Sequence, residues 1–186
     1  MKSEVRIIGI DDASFDKYND KKTLVVGTLF RGGSWLDGVM STVVEVDGDD
    51  ATAKISEMIN KCKFKPQVQC IMLDGIAVAG FNVVDVVRLN KTTKIPVMVV
   101  MRDYPELEEI KRVLIKLGKA DKVKLLEQAG EIIKAGKIHV QLCGLTNERA
   151  AEFLEVSCTH SFIPEPIRVA HLIGAGIVKG ESRGRA

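Results

Sequence analysis

Two apolar runs, Ile7-Ile8-Gly9-Ile10 and Ile71-Met72-Leu73, each deliver a carboxylate at their C-terminal end, Asp11 and Asp74. Runs of this length read as buried β-strands, and parallel neighbours lie about 4.8 Å apart, so both carboxylates would emerge at one sheet edge. Carboxylates held that close repel and take up protons unless a cation lies between them, and hard Mg²⁺ or Mn²⁺ suits oxygen ligands. A third ligand is expected from the first helix, where Asp50 is the first choice and Glu57 the second. The metal set is thus Asp11, Asp74 and Asp50, though Asp50 equally suits a helix cap. Asp12 and the Asp74-Gly75 pair also fit ordinary turns, and Asp37 fits a solvated strand position.

Nitrogen-bearing candidates are fewer. In the segment from Pro164 to His171, Arg168 and His171 stand three apart and share a helix face. One imidazole and one guanidinium there could orient a water and hold a phosphate; a plain polar stripe on a helix has the same spacing. Arg31, before Gly32-Gly33, and Arg102, after Met101, sit at the ends of apolar runs, where cations could meet a phosphate backbone. His139 alternates with Gln141 and reads as a surface residue, while His160, near Cys158, lacks companions for a zinc set. No GxxxxGK[ST] run is present and Gly174-Ala175-Gly176 follows no strand, so nucleotide-cofactor folds are not supported.

The elements that must position these residues follow from periodicity. Strands are expected over 5–11, 23–31 and 35–46, joined by short links as an antiparallel meander. Ile55, Met58, Ile59 and Cys62 then recur at helical spacing, with Asp49 or Asp50 placed to cap the helix. A strand over 68–73, a short helix over 82–89 and a strand over 96–101 come next. Leu107, Ile110, Val113, Leu114 and Leu117 form a helical stripe stopped by Gly118; a helix over 121–129, a strand over 138–142 and helices over 147–157 and from Pro166 complete the chain. Parallel crossovers are right-handed and need a helix, which places the fourth strand beside the first. The expected class is α/β: a ribonuclease H-like mixed sheet of order 3-2-1-4-5, helices on both faces and extra helices at the C-terminus.

Length and composition bound the rest. A chain of 186 residues, 46% hydrophobic, fits a single domain over 1–178 with a flexible, Gly- and charge-rich tail over 179–186. Lys and Arg number 27 against 25 Asp and Glu, so no overall field marks a histone-like or membrane-coating protein, and any polyanion site must be local. No apolar run is long enough to span a membrane, and Met1 to Val5 has no leader-like pattern behind it, which predicts a cytoplasmic protein. Cys62, Cys70, Cys143 and Cys158 lack CxxC spacing and suit reduced core thiols.

Several segments carry a family resemblance: Gly9-Ile10-Asp11-Asp12, Arg31 to Val39, Ile71 to Ile76, Ala79 to Asp85, and Pro164 to Ala170. Together they resemble domain-of-unknown-function family 99, an archaeal group that is in turn similar to endonuclease V, a ribonuclease H-like, Mg²⁺-dependent nuclease that cuts near deaminated purines. The resemblance implies that Asp11 is the first-strand metal aspartate and Asp74 the Asp-Gly aspartate. It also implies that Pro164-Glu165-Pro166-Ile167-Arg168-Val169-Ala170 flanks the active site and sets His171 there. No counterpart of that enzyme's proline-bounded tyrosine wedge or of its catalytic glutamate is present, and Asp50 is only a positional substitute. The expected function is metal-dependent cleavage of DNA or RNA by Asp11, Asp74, Asp50 and His171, with Arg31, Arg102 and Arg168 on the substrate. The alternative is an inactive nucleic-acid- or nucleotide-binding module on the same fold.

Overall fold

The computed structural model describes residues 4–182. Strand β1 (Arg6–Asp12) pairs antiparallel with β2 (Lys22–Arg31), and β2 with β3 (Trp35–Glu45). Helix α1 (Ala51–Asn60) then carries the chain to β4 (Val68–Asp74), parallel to β1. A small hairpin of β5 (Ala77–Val78) and β6 (Asn82–Val83) precedes α2 (Val86–Thr93), after which β7 (Val97–Met101) runs parallel to β4. Helices α3 (Leu107–Lys116) and α4 (Ala120–Gln128) lead to the hairpin of β8 (Ile133–Ala135) and β9 (Ile138–Cys143), with β9 antiparallel to β7. Helices α5 (Asn147–Ser157) and α6 (Glu165–Lys179) follow. The main sheet has the order β3-β2-β1-β4-β7-β9-β8, so the expected 3-2-1-4-5 arrangement holds and the last hairpin extends it.

Strand alternation divides the core into two layers. On one face Ile8, Ile10, Ile71 and Leu73 pack with Ile55 and Ile59 of α1 and Leu89 of α2. On the other, Ile7, Cys70 and Met72 meet Phe153 of α5 and Ile163 and Ile167 at the start of α6. Gly9 lets α6 approach that second face, because a Cβ there would lie 2.2 Å from the carbonyl carbon of Pro166 and 2.5 Å from the nitrogen of Ile167. The buried Thr28 hydroxyl fixes the same contact by donating to the Pro166 carbonyl at 2.6 Å. Both clashing atoms are backbone and cannot step aside by rotation. Gly9→Ala is therefore expected to cost about 3 kcal/mol and lower the melting temperature by about 6–12 °C, as read by calorimetry.

Three expectations are corrected here. Residues 82–89 are not one helix: Asn82 and Val83 form β6, and α2 starts later because Asp85 caps it, accepting from the Arg88 N–H at 2.8 Å. The apolar run hid this N-cap. Gln141 is buried and His139 half-buried, since β8 and the α4–β8 link cover β9; Gln141 donates to the Gly130 carbonyl at 2.8 Å. Helix α6 runs to Lys179 and stops at Gly180, whose φ of 78° only glycine adopts freely. Residues 183–186 of the expected tail lie outside the described residues. All four cysteines are free thiols, Cys70 fully buried. No helix among the described residues is long and apolar enough to cross a membrane.

Candidate metal centre

Parallel pairing of β1 with β4 sets Ile10 against Leu73, so the next residues, Asp11 and Asp74, leave adjacent strand ends side by side. By alternation both lie on the face of Ile7, Cys70 and Met72, the face that α6 covers. One turn after the buried Ile167, His171 comes down onto this edge and its Nδ1 stands 2.8 Å from Asp11 Oδ2. One ligand atom each from Asp11, Asp74 and His171 lies within 4.8 Å of the others. Asp11 is buried, while Asp74 and His171 are half-buried and open towards the crevice outside the strand ends, the usual ligand position in α/β sheets.

Electrostatics make the site a cation acceptor. Burial raises the Asp11 pKa, the hydrogen bond from His171 opposes that, and the neighbouring Asp74 adds to it. Asp74 is raised by burial too, partly offset by Arg102, whose Nη2 lies 3.6 Å from its Oδ2. The His171 pKa is raised chiefly by its hydrogen bond to Asp11. Asp12 points to the opposite face, accepts from the Ala79 N–H at 2.8 Å, and is pushed up to about 6 by burial and by the charge of Asp11. Two raised carboxylates on one face of the strand edge, Asp11 and Asp74, with an imidazole beside them, form a donor set of hard oxygens and one nitrogen that fits a divalent ion.

The remaining candidates are placed differently. Asp50 occupies the N-cap position of α1 but does not cap it; it accepts from the Glu45 N–H at 3.1 Å and from Asn82 Nδ2 at 2.8 Å, while Asn82 Oδ1 takes the Ala51 N–H at 3.1 Å. It stands outside the Asp11–Asp74–His171 group, because the buried Asn82 claims it. Glu57 is exposed on α1 and pairs with Lys61 at 2.6 Å. Arg31 pairs in register with Arg6, at the start of β1, because the meander reverses direction; that end is about 16 Å from Asp11 at the usual rise per residue. There Arg31 holds Asp37 at 2.7 Å, with Arg6 on its other oxygen at 3.1 Å. Arg168 grips the buried Glu165 with two hydrogen bonds of 2.8 and 2.7 Å, so its fork is already filled. Arg102 and His171 reach the centre.

Three residues escaped the sequence reading. Asp12 reads as a turn residue, yet as Asp11's neighbour it shares the strand end and its field. Lys122 of α4 is buried, donates to the carbonyls of Phe81 and Gly48, and pairs with Asp49 at 2.7 Å, while Lys119 donates to the carbonyl of Asp47. The two lysines tie together the loops before α1 and around β6, which no local spacing announces.

Similarities to other proteins agree with this architecture. The family model described as endonuclease dU matches residues 3–178. A UPF0215 protein of Methanothermobacter thermautotrophicus is 48% identical over 100% of this chain and 94% of its own length. The crystal structure of a protein of unknown function from Archaeoglobus fulgidus superposes with a TM-score of 0.87 at 41% identity, covering 93% of this chain and 98% of that one. The fold is also that of endonuclease V from Ciona intestinalis, solved with inosine-containing DNA: TM-score 0.55, 19% identity, 89% of this chain and 82% of that one. Matched almost from end to end by the model and by a relative of its own length, the chain belongs to the endonuclease dU family.

Proposed function

We propose that the chain, a single domain over residues 1–178 working in the cytoplasm, is a divalent-metal-dependent endonuclease that cuts nucleic acid at deaminated bases, with deoxyuridine in DNA the first substrate to try. The convergence of Asp11, Asp74 and His171 at the crevice carries this reading. The family's description supplies the base, and DNA bound to the similar endonuclease V supports a nucleic-acid partner. Asp11 and Asp74 would hold the ion. When bound, Mg²⁺ or Mn²⁺ would neutralise phosphate charge and acidify water. With Nδ1 facing Asp11, His171 keeps Nε2 to accept a proton from the attacking water or to return one to the leaving oxygen. Arg102, beside Asp74, supplies a cation for the phosphate.

The group contains an imidazole where a third carboxylate was expected, which favours a second reading: a module that binds nucleic acid without cutting it. Labelled single- and double-stranded oligonucleotides of DNA and RNA, with one uracil, one inosine or neither, separate the two in Mg²⁺, Mn²⁺ and EDTA. Metal-dependent cleavage beside the deaminated base is expected. Binding with no product in any arm would establish the second reading.

A further inference from the structure

The main sheet ends in two unlike edges. Strand β8 is blunted in the usual ways: it is three residues long and carries Lys134. Strand β3 is 11 residues long and contains no Lys, Arg or Pro; its single irregularity, a bulge at Asp37, leaves residues 38–45 regular. The outer side of β3 is identified at its end, where the Glu45 N–H donates to Asp50 and the Glu45 carbonyl accepts from Asn82, both away from β2. The next residue turns the other way, the Val46 N–H donating to the Lys21 carbonyl beside β2. This direction alternates along an antiparallel ladder, so Val39, Ser41 and Val43 also point their N–H and C=O groups outwards, where no hydrogen bond meets them among the described residues.

The same alternation sets their side chains on the face of α6: Val39 pairs with Thr28, which holds the Pro166 carbonyl, while Val44 faces α1. Helix α6 packs on β1 and β2 and leaves Val39 and Val43 51% and 47% exposed. A valine-bearing strand with an open backbone edge is a template for another strand, and the order of its residues says which one. Val39-Met40-Ser41-Thr42-Val43 carries a valine two places to either side of Ser41. A second β3 laid antiparallel about Ser41 therefore sets Val39 of each copy opposite Val43 of the other, and Ser41 opposite itself. These are the outward residues, so each opposed pair exchanges two hydrogen bonds and the exposed valines cover one another. We propose that two copies of the chain associate through β3, antiparallel about a two-fold axis that passes by Ser41 normal to the sheet, joining their sheets into one. Because β1 runs parallel to β3, both being antiparallel to β2, the two-fold puts the two Asp11–Asp74–His171 groups at opposite edges of the joint sheet. Each copy keeps a complete centre, and the pairing does not depend on the nuclease reading.

The test is sedimentation of the full chain at about 1 to 300 μM, the range in which an interface this small associates. A monomer–dimer equilibrium is expected. Ser41→Pro removes an N–H that makes no bond within the fold, a position where an edge strand tolerates proline, and should weaken association by about tenfold or more. Ser41→Lys, which opposes two ammonium groups across the axis and leaves the backbone untouched, should weaken it as well. Ser41→Cys reads the register: an opposed hydrogen-bonded pair has Cα atoms about 5.5 Å apart, within disulfide reach, so mild oxidation should give a linked dimer on a non-reducing gel. Thr42→Cys, on the α1 face and out of step with the axis, should give no more linked dimer than wild type. A protein that stays monomeric throughout, or a dimer that neither Ser41→Pro nor Ser41→Lys weakens, would overturn the pairing. So would no linked dimer from Ser41→Cys, or as much from Thr42→Cys.

Discussion

Asp11→Asn and Asp74→Asn are each expected to lower metal-dependent cleavage of a deoxyuridine oligonucleotide by on the order of a thousandfold or more, and the double variant to be scarcely worse than either. Asparagine keeps the size of the side chain and removes its charge, so the change falls on the ion and not on packing. Non-additivity follows because the two carboxylates act as one site, with ligand atoms within 4.8 Å of one another and of His171. The same substitutions relieve the burial of a charged carboxylate, which raises both pKa values, and at Asp11 the repulsion from Asp74 that adds to it. The metal-free variants should therefore melt no lower than wild type, while losing the shift that Mg²⁺ or Mn²⁺ produces. His171→Ala, which removes proton transfer, should lose about a hundredfold or more while retaining part of the metal shift. Initial rates beside melting curves decide the matter. Full activity in Asp11→Asn would remove the metal centre from the mechanism.

What the sequence made legible was set by how local each determinant is. The carboxylates at two strand ends and the need for a right-handed crossover between those strands are properties of short segments, and they were enough to place Asp11 beside Asp74. His171 was visible as a candidate because it shares a helix face with Arg168 and follows the Pro164 to Ala170 run; its contact with Asp11 depends on Gly9, which lets α6 lie against β1. Asp50 shows the opposite case. Its spacing suits both a metal ligand and a cap, and neither role is taken, because Asn82, thirty-two positions away, binds it. Arg31 failed for a topological reason: a strand end was recognised, but an antiparallel partner turns that end away from the crevice. Arg168 failed because Glu165, one turn earlier, satisfies its fork. Side chains whose partners are distant in sequence are the ones that pattern alone misplaces.

Without metal, the protein should become less stable as pH rises from about 4 to 7.5, the reverse of ordinary acid denaturation. Asp12, pushed up to about 6 in the fold from an ordinary 3.8, has a gap worth at most about 3 kcal/mol. A carboxyl whose folded pKa is raised binds its proton more tightly in the native state. Its contribution is complete below the unfolded pKa and is lost as pH rises through the folded one. Asp11 and Asp74 shift in the same direction, again through burial. His171, raised by Asp11, has the same sign: its share is present at low pH and lost as pH passes its folded pKa. Asp37, held low by Arg31, has the opposite sign but titrates below this window. A divalent ion competes with these protons, so its stabilisation should be small at pH 5 and large at pH 7.5, where the ligands are bare. Melting curves at both pH values, in EDTA and in Mn²⁺, read both slopes at once, and Asp12→Asn should flatten the EDTA profile. A metal-free melting temperature that climbs between pH 5 and 7.5 would mean that the three carboxylates are solvated and ionised, and that no unneutralised charge waits at the strand ends for a cation.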